Sequence, residues 1–395
     1  MFALIVGDLH LGKTSALGKV GIGSTLNSRV IDQSNLLDFI LERAIFHHVD
    51  HIICTGDIYE EVAPPSYLIV LFMSWLKKCQ VHGINVHILL GNNDILRNGN
   101  ITSSSLDIIS EADIDGINIY KDINTILMDQ SSFTFLPFRD RKSYNSISNS
   151  EAVSLLKDSL VYELASVPTH YSKVVIGHLA IEGSIPVGDE IDDLSNELFC
   201  PLDMFDNFNF VWMGHVHKPQ IMQKIPHIAH IGSIDTSNFA ETDHKKHIII
   251  FDCNLHTYIT EDLPTRPLQK INITVPSHIT DTTQYVIDQI KDTGIKNNAI
   301  VKVEIALSDP NLKSVSKSDI DKYLKSNGVF SVNSILETKK VNVIKKDNNT
   351  IIDNKMDVPA AINTYAKTYI KEEIRPKFME LSMEILNIFN SEGKH

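Results

Sequence analysis

Five short apolar runs in this chain stop at glycine and then at a side chain able to ligate a metal. Phe2–Val6 meets Gly7 and Asp8, with His10 close behind, and His51–Thr55 meets Gly56 and Asp57. Ile84–Leu90 meets Gly91-Asn92-Asn93-Asp94, Lys173–Ile176 meets Gly177 and His178, and Phe210–Met213 meets Gly214, His215 and then His217. A β-strand that ends this way delivers its ligand to the edge of a sheet. Five such strands ending at one edge would gather two Asp, one Asn and four His around a common point. Oxygen and imidazole donors without thiolate suit Mn²⁺, Fe²⁺ or Zn²⁺ with open coordination positions, rather than a closed structural zinc.

The intervening chain supplies elements to support such strands. The Gly-, Ser- and Thr-rich stretch to Asn27 reads as a loop over the site. From Ser34 a helix is expected, with Leu36, Leu37, Ile40, Leu41 and Ala44 on one face. Pro64-Pro65-Ser66 opens a helix to about Lys78 that is apolar on more than one face (Tyr67, Leu68, Ile69, Val70, Leu71, Phe72, Met73, Trp75), the mark of deep burial or of an interface. Ser103–Ala112 and Ser150–Ala165 read as further helices, and Asn118–Tyr120, Thr125–Met128, Phe133–Phe138, Ile228–Ile231 and His247–Phe251 as strands. The expected fold class is α/β: a mixed-sheet sandwich flanked by helices over residues 1–264, bounded near Leu263–Pro267. A small α+β unit over 268–345 is expected to run β-α-β-β-α-β, with a strand at Val341–Ile344. Residues 346–356 read as a polar linker, and 357–392 as two amphipathic helices split at Pro376. Such a pair covers its own body or docks on a partner's helices.

A length of 395 residues admits one large domain and one or two smaller ones. A formal net charge of −13 argues against clamping nucleic acid by global charge, while leaving local basic strips or metal-mediated contact to phosphate open. Cys54, Cys79, Cys200 and Cys253 form no C-x-x-C pair and read as buried reduced thiols of a cytoplasmic protein. The first apolar run meets Asp8 at once, so it reads as a strand rather than a signal peptide, and no run approaches the ~20 apolar residues of a membrane span. No P-loop occurs, so ATP hydrolysis is not expected of this chain.

An Asp-x-His or a His-x-His is a weak signal alone; the information lies in the order Asp-x-His, Gly-Asp, Gly-Asn-x-Asp, Gly-His, Gly-His-x-His, each after an apolar strand. In that order the chain resembles the calcineurin-like metallophosphoesterases, and within them the SbcD-type DNA nucleases, relatives of the nuclease of the MRN repair complex. The residues that carry the resemblance are Gly7-Asp8-Leu9-His10-Leu11-Gly12-Lys13, Gly56-Asp57-Ile58-Tyr59, Gly91-Asn92-Asn93-Asp94, Gly177-His178-Leu179 and Gly214-His215-Val216-His217-Lys218-Pro219-Gln220. Ile231-Gly232-Ser233-Ile234, with Phe239 and Glu241, is similar to the family segment after the last motif.

The resemblance implies that Asp8, His10 and His217 hold one divalent cation, that Asn92, His178 and His215 hold another, and that Asp57 bridges them. Mn²⁺ is the expected metal, with Mg²⁺ serving in part. It also implies cleavage of DNA ends and hairpins, a homodimer through helices near 65–78 and 103–112, and an SbcC-type ABC ATPase with coiled coils bound by the C-terminal helices. A phage-encoded version falls within this reading. The family usually has His where this chain has Asn93, a position near the scissile phosphate. Asn hydrogen-bonds but cannot shuttle a proton near neutral pH, so weak cleavage is expected, whether Asn93 is natural or introduced. Asp94 is expected to orient a ligand. Lys13, Arg97 and Lys218 lie beside motifs and are read either as DNA-phosphate contacts or as solvated surface charges. Two rival readings are a phosphodiesterase of small substrates and a DNA-end-holding scaffold with a residual metal site.

Overall fold

In chain order the elements are β1 (Phe2–Val6), α1 (Ser28–Phe46), β2 (His51–Cys54), α2 (Ser66–Val81), β3 (Asn85–Leu89), β4 (Leu96–Asn98), β5 (Ile101–Ser103), α3 (Asp107–Glu111), β6 (Ile117–Tyr120), β7 (Asn124–Met128), β8 (Ser131–Leu136), α4 (Asn149–Leu164) and β9 (Ser172–Gly177). There follow β10 (Ala180–Ile181), β11 (Phe199–Cys200), β12 (Phe210–Met213), β13 (Gln220–Gln223), β14 (His227–His230), β15 (His247–Asp252), β16 (Thr257–Asp262), β17 (Leu268–Val275), α5 (Thr282–Thr293), β18 (Ile300–Leu307), α6 (Lys317–Ser326) and β19 (Ser331–Lys339). This computed structural model describes residues 1–14, 17–20, 25–98, 101–145, 148–186, 197–339, 375–379 and 381–382, without the side chains of 97, 98, 101 and 102.

Two six-stranded sheets form the centre, ordered β16-β15-β1-β2-β3-β6 and β13-β14-β12-β9-β8-β7. In the first, β1, β2, β3 and β6 are parallel, and β15 runs against β1. In the second, β14, β12, β9 and β8 are parallel, with β13 and β7 antiparallel at the edges. Alternate residues of each strand go to different layers. Ala3, Ile5, Ile53, Leu89, Val174, Ile176 and Trp212 share the core between the sheets. Leu4, Val6, Ile52, Cys54 and Val86 share a second core with residues of α1 and α2, such as Leu37, Ile40, Phe72 and Leu76. Val175, Val211 and Met213 share a third with Leu156 and Leu160 of α4. Strands buried on both faces explain why these segments read as continuous apolar runs.

The chain divides into compact units Met1–Lys340 and Val341–His395. Within the first, β17, β18 and β19 form a separate three-stranded parallel sheet whose core includes Val286 and Ile290 of α5 and Ile320 and Leu324 of α6. Its order is β-α-β-α-β, which corrects the β-α-β-β-α-β layout: each pair of neighbouring parallel strands is joined through a helix, as parallel pairing requires. The strand expected at Val341–Ile344, the linker and most of the two tail helices lie outside the described residues; 375–379 and 381–382 are helical.

Two helices differ from the periodicity reading. α1 begins at Ser28 rather than Ser34, because the Asn27 side chain caps it by accepting from the Arg29 N–H at 2.9 Å. The helix expected over Ser103–Ala112 is only Asp107–Glu111: Ser103 ends β5, and Ser104 exchanges bonds with Asp107 and Leu106 in a turn. On α2, Tyr67, Val70 and Val81 remain exposed.

A buried ion network crosses from the sandwich to the small sheet. Arg29 donates to Asp32 at 2.8 Å and to Asp235 at 2.6 Å, and Arg266 grips Asp32 with two bonds at 2.6 and 2.8 Å. Arg266 also donates to Asn298 and stacks on Phe330. Replacing Arg29 with Met leaves Asp235 buried without its cation, so denaturant unfolding is expected to show a loss of about 3–5 kcal/mol. A loss under ~1 kcal/mol would show that water reaches these carboxylates.

Candidate metal centre

All five parallel strands that carry a motif end on the same side of the two sheets, and the loops after them converge. Ligands gathered beyond the carboxyl ends of parallel strands are the usual product of this architecture. Asp8, His10, Asp57, His178, His215 and His217 are buried, and Asn92 is half-buried. His10 (φ 42°), Asp57 (φ 47°) and His215 (φ 76°) have left-handed backbones. For residues with a Cβ this costs of order 1–3 kcal/mol each and clusters at functional sites.

Two groups of donors emerge. Asp8, His10 and His217 offer ligand atoms all within 4.8 Å of one another, as do Asp8, Asp57 and His178. His217 Nε2 lies 2.8 Å from His10 Nε2. Asn92 Oδ1 lies 3.0 Å from both His178 Nε2 and His215 Nδ1. Asp57 stands between the groups, one oxygen 3.5 Å from His178 Nε2 and the other 3.5 Å from His10 Nε2. Buried ring nitrogens that face each other, and a carboxamide oxygen facing two more, fit a divalent cation in each group. The electrostatics agree. Burial opposes a charged His178, yet the carboxylates of Asp57 and Asp8 push it up to about 10. Burial alone would raise Asp57, but His178 and His10 hold it far below the usual carboxylate range. The site attracts positive charge, a demand that cations meet without a proton.

The supports are local. Asp8 accepts from Thr55 Oγ1 at 3.0 Å and from the His215 N–H at 2.7 Å. Asp94 accepts from the N–H groups of Gly91 (2.9 Å) and Ile58 (3.1 Å), which fastens the Asn92 turn to the Asp57 loop. Burial and the nearby Asp57 charge push Asp94 up to about 7. Gly91 has to be glycine: a Cβ there would sit 2.1 Å from Asp57 Oδ1. The Asn93 N–H donates to Asp57 at 2.9 Å, and Asn93 Oδ1 accepts from Asn92 Nδ2 at 2.9 Å, turning the oxygen of Asn92 inward.

Glu60 and Glu197 escape the reading of the sequence, although their carboxylates lie 2.8 Å from His10 Nδ1 and His215 Nε2. Glu60 follows the Gly56-Asp57 motif by three residues, a spacing that could have marked it; nothing in its neighbours marks Glu197. Lys13 lines a small recess with His10, His217 and Ser233, its ammonium 3.3 Å from Glu60. Lys218 is half-buried next to His217, and Arg97 lies in β4 with its side chain outside the described residues.

A family model described as calcineurin-like phosphoesterase matches residues 3–219, the span from β1 through the last paired histidines. The chain belongs to that family. Its donor groups are those of a metal-dependent phosphoesterase. It is 22% identical over 265 residues to the SbcD component of nuclease SbcCD from Escherichia coli K12, covering 63% of this chain and 64% of that protein. It is 21% identical over 346 residues to the SbcD component of nuclease SbcCD from Staphylococcus saprophyticus, covering 84% and 89%. The chain thus spans less than two thirds of the Escherichia coli relative (64%). Among solved structures, a dimetal phosphatase from Danio rerio aligns with a TM-score of 0.40 at 11% identity, covering 67% of this chain and 96% of that one. No helix among the described residues is long and apolar enough to cross a membrane, and all four cysteines are buried and free.

Proposed function

We propose that this chain is the nuclease component of an SbcC–SbcD-like complex, which hydrolyses phosphodiester bonds at DNA double-strand ends and hairpins with two Mn²⁺ ions. The observation that carries the reading is the convergence of Asp8, His10, Asp57, Asn92, His178, His215 and His217 on one point. The relatives from nuclease SbcCD support a nucleic acid as the substrate. Two divalent cations in such a site supply Lewis acidity at the phosphoryl oxygen and make water acidic enough to attack near neutral pH. The protein's part is to fix the ligand geometry. Asp57 presents one oxygen to each half, Asp94 locks the turn carrying Asn92, and Asn93 orients the Asn92 amide. Asn93 offers hydrogen bonds but no proton transfer, so turnover is reduced.

In this proposal residues 1–264 carry the chemistry, 268–345 help position DNA, and the helices of 357–392 bind an SbcC-type ATPase that brings ATP binding and much of the positive charge. The exposed apolar side of α2, together with α3, serves a homodimer. Lys13, which lines the recess beside His10 and His217, and Lys218, next to His217 in the chain, contact DNA phosphates.

The test compares linear duplex DNA, a hairpin and a small chromogenic phosphodiester, with this chain alone and with its ATPase partner. Mn²⁺-dependent DNA cleavage, abolished by EDTA and restored by added Mn²⁺, is expected, and is expected to be stronger with the partner. Hydrolysis of the small ester with DNA left intact under both conditions would favour a small-substrate phosphodiesterase. Retention of DNA without any turnover, even with His restored at position 93, would favour a scaffold.

A further inference from the structure

Lys246 is completely buried, yet the chemistry just described makes no use of it. All three of its protons have acceptors: the His217 carbonyl at 2.9 Å, Ser233 Oγ at 2.8 Å and the Glu241 carboxylate at 2.6 Å. The other Glu241 oxygen accepts from the Ser237 hydroxyl at 2.6 Å and from Asn238 at 2.9 Å. Burying an ammonium is costly, and an apolar side chain would fill the same space without that penalty. Its three bonds therefore point to what it holds in place.

They converge where two ligand segments cross. The Ser233 N–H also donates to the His217 carbonyl, at 3.3 Å, and the Ile234 N–H donates to the Asp8 carbonyl at 3.0 Å. Asp8 and Ser233 form an isolated parallel bridge. The backbone of Gly232 (φ +85°) presses on the same point: a Cβ there would lie 2.7 Å from the His217 carbonyl oxygen and 2.7 Å from the Pro219 ring. Lys246 thus ties together the backbones that present Asp8 and His217, two ligands of one half of the centre. None of its bonds reaches Asn92, His178 or His215, the ligands of the other half.

We propose that Lys246, charge-balanced by Glu241, is a positioning residue for the cation site of Asp8, His10 and His217, and leaves the second site unaffected. The inference rests on the two-cation reading above. The test is calorimetric titration of the full chain with Mn²⁺ alone, without substrate, alongside thermal melting of the metal-free proteins. Lys246→Met by itself strands the Glu241 charge and is expected to lower the melting temperature. Lys246→Met with Glu241→Gln removes both charges and keeps acceptors for Ser237 and Asn238. This double variant is expected to melt close to the wild type while one of the two Mn²⁺ affinities falls 10–100-fold and the other stays within about threefold.

Two unchanged affinities in the double variant, with wild-type protein binding two ions, would overturn the role of Lys246 and leave the metal centre standing. Equal weakening of both ions would also overturn it, since a general loosening of the fold does that. Wild-type protein that binds no Mn²⁺ would remove the two-cation reading and this role together.

Discussion

Replacing Asn93 with His is expected to raise Mn²⁺-dependent phosphodiester hydrolysis by about 10²–10⁴-fold, the usual worth of a positioned general acid or base. In the proposed reading, position 93 takes that role. Its N–H is fastened to Asp57, the carboxylate between the two donor groups, so a side chain there stands at the edge of the centre. Asn93 fills that place with a group that cannot change its charge, and its oxygen is already engaged by the amide of Asn92. A histidine gives up that bond, so Mn²⁺ affinity should be measured alongside the rate. The gain should fall on kcat, because proton transfer is made in the transition state rather than in substrate binding. The pH profile supplies a separate signature. A histidine acting as an acid has to be protonated, so the variant's rate should fall as the pH rises through that group's pKa, with a limb absent from the Asn93 form. An unchanged kcat, with both metals bound, would show that no proton passes through position 93.

The sequence carried this site because the motifs are local even though the fold that joins them is not. Each apolar run had to be a strand buried on both faces, and each glycine after it a point of close backbone approach. Gly91 illustrates this, since its missing Cβ is what lets Asp57 stand where it does. Periodicity was a poorer guide where capping decided the outcome. Six residues before Ser34 join α1 because Asn27 caps them, and Ser104 ends the segment expected to begin a long α3. Pairs that depend on tertiary approach left no trace at all. Glu197 reaches His215 from a separate loop, Lys246 reaches His217 from the edge of β15, and Arg266 joins Asp32 across 234 residues. The small sheet's strands and helices were readable as elements, but that its three strands pair in parallel was not.

Asp57→Asn is expected to abolish hydrolysis, by at least about 10³-fold, and to weaken both cations at once. The substitution is chosen so that little else changes. Asp57 has φ 47°, a left-handed conformation that Asn tolerates better than Ala does. The carboxamide oxygen of Asn still accepts from the Asn93 N–H, so the turn keeps its fastening. What is lost is a negative charge and the second oxygen, and these are the features that let one side chain serve His178 on one side and His10 on the other. His178→Ala is the contrasting case. The Nε2 of His178 faces Asn92 and one oxygen of Asp57, its Nδ1 lies 3.6 Å from Asp8, and His10 and His217 face each other, so that variant should lose one Mn²⁺ and keep the other. The two stoichiometries, read by Mn²⁺ titration, separate a shared ligand from an unshared one without reference to turnover. If Asp57→Asn still bound two ions with wild-type affinity, the carboxylate would not bridge them. The division of the seven ligands into two halves joined at Asp57 would then have to be redrawn.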